Sequence, residues 1–283
     1  MKAALGKTLK VAAVGLFFIW TMIPVIFLVS SSFKATGDIF ALPKPGDWLG
    51  MFKLLFIFKA SLTQFRNMFV EGPFLKYFLN SLMATGFSVL ISVPLGLLAA
   101  YALSRGRIPG KKHYYFWVIS TRMAPPIAVM VPLYVLWRSF GVLQTLPGLV
   151  LAYTTFNLPF SIWLLRGFMD SIPKELEEAA YVDGRNRLRA FIDIVFPLIA
   201  PGVGATVILC SLLSWNDYLF ALILGGRGVK TIPVGISELE SATSVLWGQI
   251  MAGGTILIVP MVILGLVIKK FLVTGLTMGA MRG

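Results

Sequence analysis

The sequence predicts an all-α integral membrane protein with six transmembrane helices. Hydrophobic residues make up 57% of the 283 residues and charged residues only 13%, with a mean hydropathy of +0.84. Soluble domains carry roughly 25% charged residues. A spanning helix needs about 20 mostly apolar residues, and six segments qualify: residues 11–29, 79–103, 114–134, 146–165, 196–213 and 250–271. Because little chain remains between them, we predict a single transmembrane domain over residues 1–283.

The first predicted helix follows Lys2, Lys7 and Lys10, as the apolar part of a signal peptide would. It ends in Val29-Ser30-Ser31-Ser32, which offers no Ala-x-Ala cleavage site, so we predict that it is retained. In the loop after it, residues 51–59 are apolar but too few to cross a bilayer, which predicts an interfacial helix.

The second predicted helix contains small residues that let neighbouring helices approach closely, among them Gly86, Ser88, Ser92 and Gly96. Prolines mark the third and fourth helices, at Pro125, Pro126, Pro132 and Pro159. A proline leaves a backbone carbonyl without its N–H partner, and a neighbouring helix or a water-lined cavity must satisfy that carbonyl. We therefore expect both helices to be broken at these prolines and to face protein or a cavity.

Lysine and arginine residues cluster beside the predicted helices. They precede the first helix and follow the second, fourth and sixth, in these groups: Lys2, Lys7 and Lys10; Arg105, Arg107, Lys111 and Lys112; Arg166, Lys174, Arg185, Arg187 and Arg189; Lys269, Lys270 and Arg282. Basic residues favour cytoplasmic loops, which predicts both termini in the cytoplasm and residues 30–78 outside. The net charge of +13 does not indicate nucleic-acid binding, because no basic helix or aromatic platform accompanies it.

A charged segment separates the fourth and fifth predicted helices. Six of the twelve acidic residues fall between Asp170 and Asp193. Ser171 and Pro173 are typical of helix starts, and the glutamates that follow lie near the positive end of a helix dipole. Gly184 can take the left-handed conformation that ends a helix. We predict two short helices over about residues 171–193, the second at about residues 186–192.

This charged segment is predicted to bind a soluble partner. Ala179 and Ala180 leave a shallow surface, and Glu178 offers a carboxylate beside it. The pattern Glu178-Ala179-Ala180, followed by Gly184 and by Ile194-Val195-Phe196-Pro197, resembles the EAA loop of bacterial ABC importer permeases. The resemblance implies that the segment contains coupling helices that dock on a cytoplasmic ATPase.

Further segments extend the resemblance from Ser31 onward. The chain is similar to the second permease subunit of carbohydrate-uptake ABC importers of the maltose type, through Asn80-Ser81-Leu82, Arg122-Met123-Ala124-Pro125-Pro126, Phe156-Asn157-Leu158-Pro159, Trp215-Asn216-Asp217 and Gly275-Leu276-Thr277-Met278-Gly279-Ala280. This resemblance implies the type I ABC importer permease fold, with six transmembrane helices and cytoplasmic coupling helices. The chain departs from the family at Arg185 and Phe196, and residues 49–60 resemble an insertion.

The resemblance also implies a complex in the bacterial cytoplasmic membrane. Its other members are a second, different permease subunit, two copies of an ATP-binding subunit and an extracytoplasmic solute-binding protein. The chain has no Gly-x-x-x-x-Gly-Lys-[Ser/Thr] phosphate loop, so ATP and Mg are expected on the partner ATPase and no enzymatic activity in this chain. A permease for a polyamine, a phosphonate or an amino acid is the alternative, although the Gly-Leu-Thr-x-Gly-Ala tail favours a carbohydrate.

Individual residues take roles from the same resemblance. ATPase docking is expected at Glu178, Ala179, Ala180, Asp183 and Gly184, and ATPase contact by the tail, residues 272–283, at Gly275, Leu276, Thr277, Gly279 and Ala280. A loop facing the binding protein is expected at Ser237, Glu238, Leu239, Glu240, Ser241, Ala242 and Thr243. Candidates for the translocation path are Arg122, Asn157, Asn216 and Asp217.

The polar residues of the spans have alternative roles, and neither a metal site nor an intrachain disulfide is expected. Arg122 either pairs with a partner helix or lines the path, since an unpaired cation in the membrane is costly. Hydrogen bonding between helices is the alternative role for Asn157, Asn216 and Asp217. His113 has no second His or Cys pair beside it, which predicts no metal site. The single Cys210 allows no intrachain disulfide.

Overall fold

The computed structural model describes residues 2–39, 47, 49–50, 53, 56–241 and 244–280, with the backbone alone at 2–7 and 268–280. Apart from one isolated antiparallel bridge between Glu240 and Val245, the regular structure of these residues is helical. The prediction of an all-α chain is confirmed. The described helices, in chain order, are α1 (Lys2–Ser32), α2 (Thr36–Ile39), α3 (Thr63–Phe69), α4 (Phe74–Arg105), α5 (Lys111–Ser120), α6 (Pro126–Ser139), α7 (Leu146–Asp170), α8 (Glu175–Val182), α9 (Arg187–Ala190), α10 (Phe196–Trp215), α11 (Ile232–Ser237) and α12 (Trp247–Ala280).

Five helical segments are long and apolar enough to cross a membrane: Thr8–Ser32, Phe74–Arg105, Leu146–Asp170, Arg187–Trp215 and Trp247–Val267. The number is six if Lys111–Met123 and Pro126–Ser139, which are bent by 96°, are counted as one span. These segments agree with the predicted positions, while the assignment of the whole chain to one transmembrane domain stays a prediction. Of the interfacial helix predicted at residues 51–59, residues 51, 52, 54 and 55 lie outside the described residues.

The bend of the third span has a local cause. Ala124 and Pro125 adopt extended backbone, with ψ of 128° and 130°. The residue before a proline is disfavoured in helical conformation, and here two prolines follow in succession. Pro126 then occupies the first turn of α6, where a missing N–H is tolerated. The break predicted at Pro125 and Pro126 is confirmed.

The breaks predicted at Pro132 and Pro159 are wrong. Pro132 lies inside α6 and Pro159 inside α7, and both helices continue through them. A single proline removes one backbone hydrogen bond, and packing of a membrane helix against its neighbours compensates for that loss. Consecutive prolines constrain two successive residues, which explains why only the Pro125-Pro126 pair interrupts the helix.

One compact unit consists of Met1–Leu75 and Gly235–Val259. In its described residues the rings of Phe33 and Phe65 lie 5.1 Å apart, and the Gln64 amide donates to the Lys34 carbonyl oxygen at 3.3 Å. These contacts hold α3 against the turn that follows α1.

The other compact unit consists of Lys76–Val234 and Pro260–Gly283. Val93, Leu97 and Ala100 recur along one face of α4, at the i, i+4, i+7 spacing of a helical stripe. They belong to an apolar cluster that also contains, from α7 and α10, Leu165, Met169, Ile199 and Cys210.

Glycines bring the helices of this unit close together. A Cβ atom on Gly96 of α4 would lie 2.1 Å from Ser161 Oγ on α7, and one on Gly202 of α10 would lie 2.5 Å from the Phe168 ring. The Ser161 hydroxyl donates to the Ser92 carbonyl oxygen at 2.9 Å, a bond that this close approach allows. Small residues therefore set the spacing of α4, α7 and α10.

Candidate coupling site

The predicted docking segment forms α8, a helix of eight residues. Glu175, Glu177 and Glu178 lie in its first turn, where the helix dipole favours negative charge. Ser171 ends α7 rather than beginning α8, so the helix starts later than its sequence signals indicate. Glu178 and Ala179 are exposed on its surface, as is Asp183 just after it.

Gly184 ends α8 in the way that the sequence predicts. Its φ is +80°, the left-handed region. The N–H of Arg185 donates to the carbonyl oxygen of Ala180 at 3.0 Å, and the N–H of Gly184 to that of Tyr181 at 3.1 Å. This pair of bonds is the Schellman motif, which satisfies the last carbonyls of a helix and reverses the chain.

The second short helix is shorter than predicted. The Asn186 side chain accepts the N–H of Arg189 at 2.9 Å and so caps α9, which ends at Ala190. A π-helical turn, Phe191–Val195, then joins α9 to α10. The chain thus passes from the charged segment into the fifth span without a loop.

Ala180 is 2% exposed and packs inside its own chain. The prediction that its small side chain shapes an exposed surface is therefore wrong. Leu176 and Val182 are exposed instead, the latter at 88%. The surface that α8 presents combines the carboxylates of Glu178 and Asp183 with these apolar side chains.

The buried side of α8 carries a charged residue that the sequence analysis missed. Glu177 forms an ion pair with Arg105, the last residue of α4, and the two side chains are 4% and 9% exposed. Tyr101 donates its hydroxyl to the other carboxylate oxygen of Glu177 at 2.9 Å. Glu177 and Ala180 are three residues apart and share one helix face, so the periodicity of α8 was a signal for an inward acid.

Asn157 lies in the bundle interior and is 2% exposed. Its side-chain amide donates to Ser214 Oγ at 2.7 Å and to Ser88 Oγ at 3.4 Å. One residue each from α4, α7 and α10 thus meets in a polar cluster. This geometry supports hydrogen bonding between helices, the alternative role of Asn157.

Arg122 lies in a 3₁₀ turn, Thr121–Met123, beside the bend between α5 and α6. Its Nη1 donates to the carbonyl oxygen of Phe156 at 3.2 Å, and its guanidinium lies 5.3 Å from the centre of the Phe160 ring. The side chain is otherwise exposed. It therefore contacts α7 while remaining open on one side.

Asn216 and Asp217 follow the last residue of α10. The Asn216 amide donates to the Leu212 carbonyl oxygen at 2.9 Å and is exposed. Asp217 accepts the N–H of Ala221 at 3.1 Å, at the start of a second π-helical turn, and interacts with Tyr153. Burial raises the pKa of the Asp217 carboxyl to about 6, although these hydrogen bonds act in the opposite direction.

The loop predicted to face a binding protein is a short hairpin in its described residues. Ser237, Glu238, Glu240 and Ser241 are exposed. The N–H of Ser241 donates to the Ser244 carbonyl oxygen at 2.9 Å, and that of Leu246 to the Leu239 carbonyl oxygen at 3.1 Å. Ala242 and Thr243 lie outside the described residues.

The predicted tail continues the last helix. The sixth span is predicted to end at residue 271, and α12 continues as a helix through the tail residues Gly275, Leu276, Thr277, Gly279 and Ala280. Met281 to Gly283 lie outside the described residues. The helix therefore passes residue 272 without a break, and the position of residues 272–283 in the cytoplasm stays a prediction.

Comparison with known proteins identifies the chain. The family described as "Binding-protein-dependent transport system inner membrane component" matches residues 92–277, more than half of the chain. The trehalose transport system permease protein SugB of Mycobacterium tuberculosis is 33% identical over 271 residues, 93% of each chain. The melibiose/raffinose/stachyose import permease protein MelC of Bacillus subtilis is 31% identical over 287 residues, 100% of each chain.

A solved structure has the same fold. A bacterial ABC transporter involved in the import of the acidic polysaccharide alginate contains a chain that matches with a TM-score of 0.76 at 22% identity, over 94% of this chain and 96% of that one. The fold, the family match and the charged segment between two spans all indicate the same class of protein. This chain belongs to the family of inner membrane components of binding-protein-dependent transport systems, and it is a permease subunit of an ABC transporter.

Proposed function

We propose that this permease moves a carbohydrate into the cell by ATP-driven alternating access. The observation that supports the carbohydrate most directly is the similarity, over nearly the whole chain, to permeases named for trehalose and for melibiose, raffinose and stachyose. A polyamine, a phosphonate or an amino acid is the competing solute class. The transported sugar itself depends on the binding protein that delivers it.

Two copies of an ATP-binding subunit supply the energy in this proposal, with ATP and Mg bound there. One of them receives α8 in a groove, where Glu178 and Asp183 contribute charge and the exposed Leu176 and Val182 contribute apolar contact. Closure of the ATPase dimer moves α8, and the bundle switches from inward to outward facing. Such a switch requires that ATP binding favours one of the two states.

The remaining partners contact other parts of the chain. The hairpin around Glu240 faces the extracytoplasmic binding protein, and residues 275–280 at the end of α12 contact the ATPase dimer. A second, different permease subunit completes the bundle. Both termini lie in the cytoplasm, as the distribution of Lys and Arg indicates.

The test is reconstitution of the complete transporter in proteoliposomes together with its binding protein. Uptake of labelled trehalose, raffinose, spermidine, methylphosphonate and methionine is measured with and without ATP. We expect ATP-dependent uptake of at least one carbohydrate and none of the other three. Uptake of only a non-carbohydrate would overturn the carbohydrate assignment, and ATP-independent uptake would overturn the mechanism.

A further inference from the structure

We propose that the buried ion pair of Arg105 and Glu177 is the rigid link through which movement of α8 reaches the transmembrane helix α4. This inference rests on the proposed function, because it concerns how ATPase movement is transmitted. It assigns a positioning role to residues that lie behind the docking surface.

The bonding of Glu177 ties α8 firmly to α4. One carboxylate oxygen accepts from Arg105 Nε and the other accepts from the Tyr101 hydroxyl at 2.9 Å. Both donors lie on α4, four residues apart, and so on one face of that helix. Because the carboxylate is held at both oxygens, α8 can neither rotate nor slide along α4 without breaking a bond to a buried charge.

Arg105 also holds the segment that leads into α8. Its Nη2 donates to the carbonyl oxygen of Ile172 at 2.7 Å, and Ile172 is buried between α7 and α8. A single guanidinium thus fixes the helix and the chain before it. Lysine could not reproduce this arrangement, since the bonds to Ile172 and Glu177 need donors held at fixed angles in one plane.

The same network reaches two further spans. Ser104 donates to Asp170, the last residue of α7, and Asp170 pairs with Arg166 at 3.4 Å. The Arg166 guanidinium lies 3.7 Å from the centre of the Tyr115 ring on α5. Polar contacts therefore join the ends of α4, α5 and α7 to the base of α8.

The cost of breaking the Arg105–Glu177 ion pair depends on its burial. Breaking a buried ion pair leaves a charge without its partner and is strongly unfavourable, whereas an exposed pair contributes little. The pair between Arg185 and Asp193 is about half exposed, and Asp193 lies in the π-helical turn that leads into α10, so this pair is expected to contribute little to holding the segment in place. Arg105 and Glu177 connect α8 with the membrane helix α4. Because this pair is buried, we expect it to stay intact when the ATPase moves α8.

The test uses the complete transporter and measures solute taken up per ATP hydrolysed. Glu177→Gln keeps the shape of the side chain and removes its charge, and we expect the ratio to fall at least fivefold while ATP hydrolysis continues. Arg105→Lys should lower it similarly. Glu71→Gln, which removes an exposed pair with Arg66, is the matched control and should match wild type.

A structural role alone would lower the yield of complex, or both activities in parallel, and leave the ratio unchanged; either result overturns the proposal. If Glu177→Gln does not assemble, Tyr101→Phe removes one hydrogen bond to Glu177 and keeps the ion pair. A wild-type ratio in that variant and in Arg105→Lys would also overturn the link. Absence of ATP-dependent uptake in the wild type would instead overturn the proposed function, and this inference with it.

Discussion

Several polar side chains inside the spans of this permease bind other helices. The Asn157 amide bonds two serine hydroxyls on neighbouring helices, Ser88 and Ser214. Glu177 and Arg105 satisfy each other on the buried side of α8. An unsatisfied polar group costs several kcal/mol in the hydrocarbon region, which explains why the packing supplies partners for Asn157, Glu177 and Arg105.

Replacing Asn157 with leucine should destabilise the bundle. The substitution removes the amide that joins α7 to α4 and α10, and we expect a loss of about 1–2 kcal/mol, measured as a lower melting temperature of the purified protein. Thr155→Val on the same helix is the control, because Thr155 bonds only the Leu151 carbonyl of its own helix. A change in apparent solute affinity without a change in stability would contradict the structural role.

Asp217 should make stability depend on pH. Its carboxyl has a pKa raised from 3.8 to about 6 by burial, so the folded state favours the protonated form. This contribution is fully present below pH 3.8 and is lost as pH rises through about 6, a change of roughly 1–3 kcal/mol. The melting temperature should fall between pH 5 and pH 7, and Asp217→Asn should remove most of that fall. An equal fall in both proteins would contradict the prediction.

At the scale of helices, short elements are defined by their ends and long ones by their packing faces. The Schellman bonds around Gly184 and the Asn186 cap set the limits of α8 and α9. The stripe of Val93, Leu97 and Ala100 sets which side of α4 is buried. Both features follow from residue types at fixed spacings, so both are readable in a sequence.

Two substitutions on the charged segment should separate membrane insertion from coupling. Glu178→Lys reverses an exposed charge, and Gly184→Pro cannot adopt a φ of +80°. We expect both variants to reach the membrane at normal levels, with solute-stimulated ATP hydrolysis lowered at least threefold. Glu71→Lys, at an exposed site in a different part of the chain, is the control for charge reversal. Normal stimulation in both variants would exclude α8 as the docking helix.

Glycine spacing on α4 offers a matched test of helix packing. Gly96→Ala places a Cβ 2.1 Å from Ser161 Oγ, so the helices must separate, at a cost of about 1–3 kcal/mol. A Cβ on Gly86 of the same helix meets nothing within 4 Å, and Gly86→Ala should be neutral or slightly stabilising. The measurement compares the melting temperatures of the two variants, and we expect the Gly96→Ala protein to melt lower. Equal values would show that α4 and α7 are not held at this distance.

At the scale of the whole molecule, charge distribution is the basis for the orientation in the membrane. The basic stretches near Arg107 and Arg185 flank α4 and α8, while Arg227 follows α10 at the opposite end of a span. Since the excess of Lys and Arg in cytoplasmic loops sets the orientation of a membrane protein, the first two stretches, which contain several basic residues each, are expected inside and Arg227 outside.

Cysteine labelling in intact cells checks this orientation. In a Cys210→Ala background, a membrane-impermeant maleimide should label Arg227→Cys and should not label Arg107→Cys or Arg185→Cys. The cysteine is placed at Arg227 rather than at the neighbouring Gly226. The φ of +50° at Gly226 and the close Gln144 side chain disfavour any larger residue there. External labelling of either cytoplasmic probe would overturn the predicted topology.

The sequence by itself determined the helical class, the approximate positions of the spans, the break at Pro125 and the turn at Gly184. Each depends on residues near in sequence: apolar runs long enough for a bilayer, paired prolines, and a glycine free to adopt positive φ. Only the tertiary structure decided that Glu177 pairs with Arg105, that Ala180 is buried and that Asn157 joins three helices. These depend on which residues of distant helices meet, and local spacing can indicate a shared helix face but does not identify the partner on another helix.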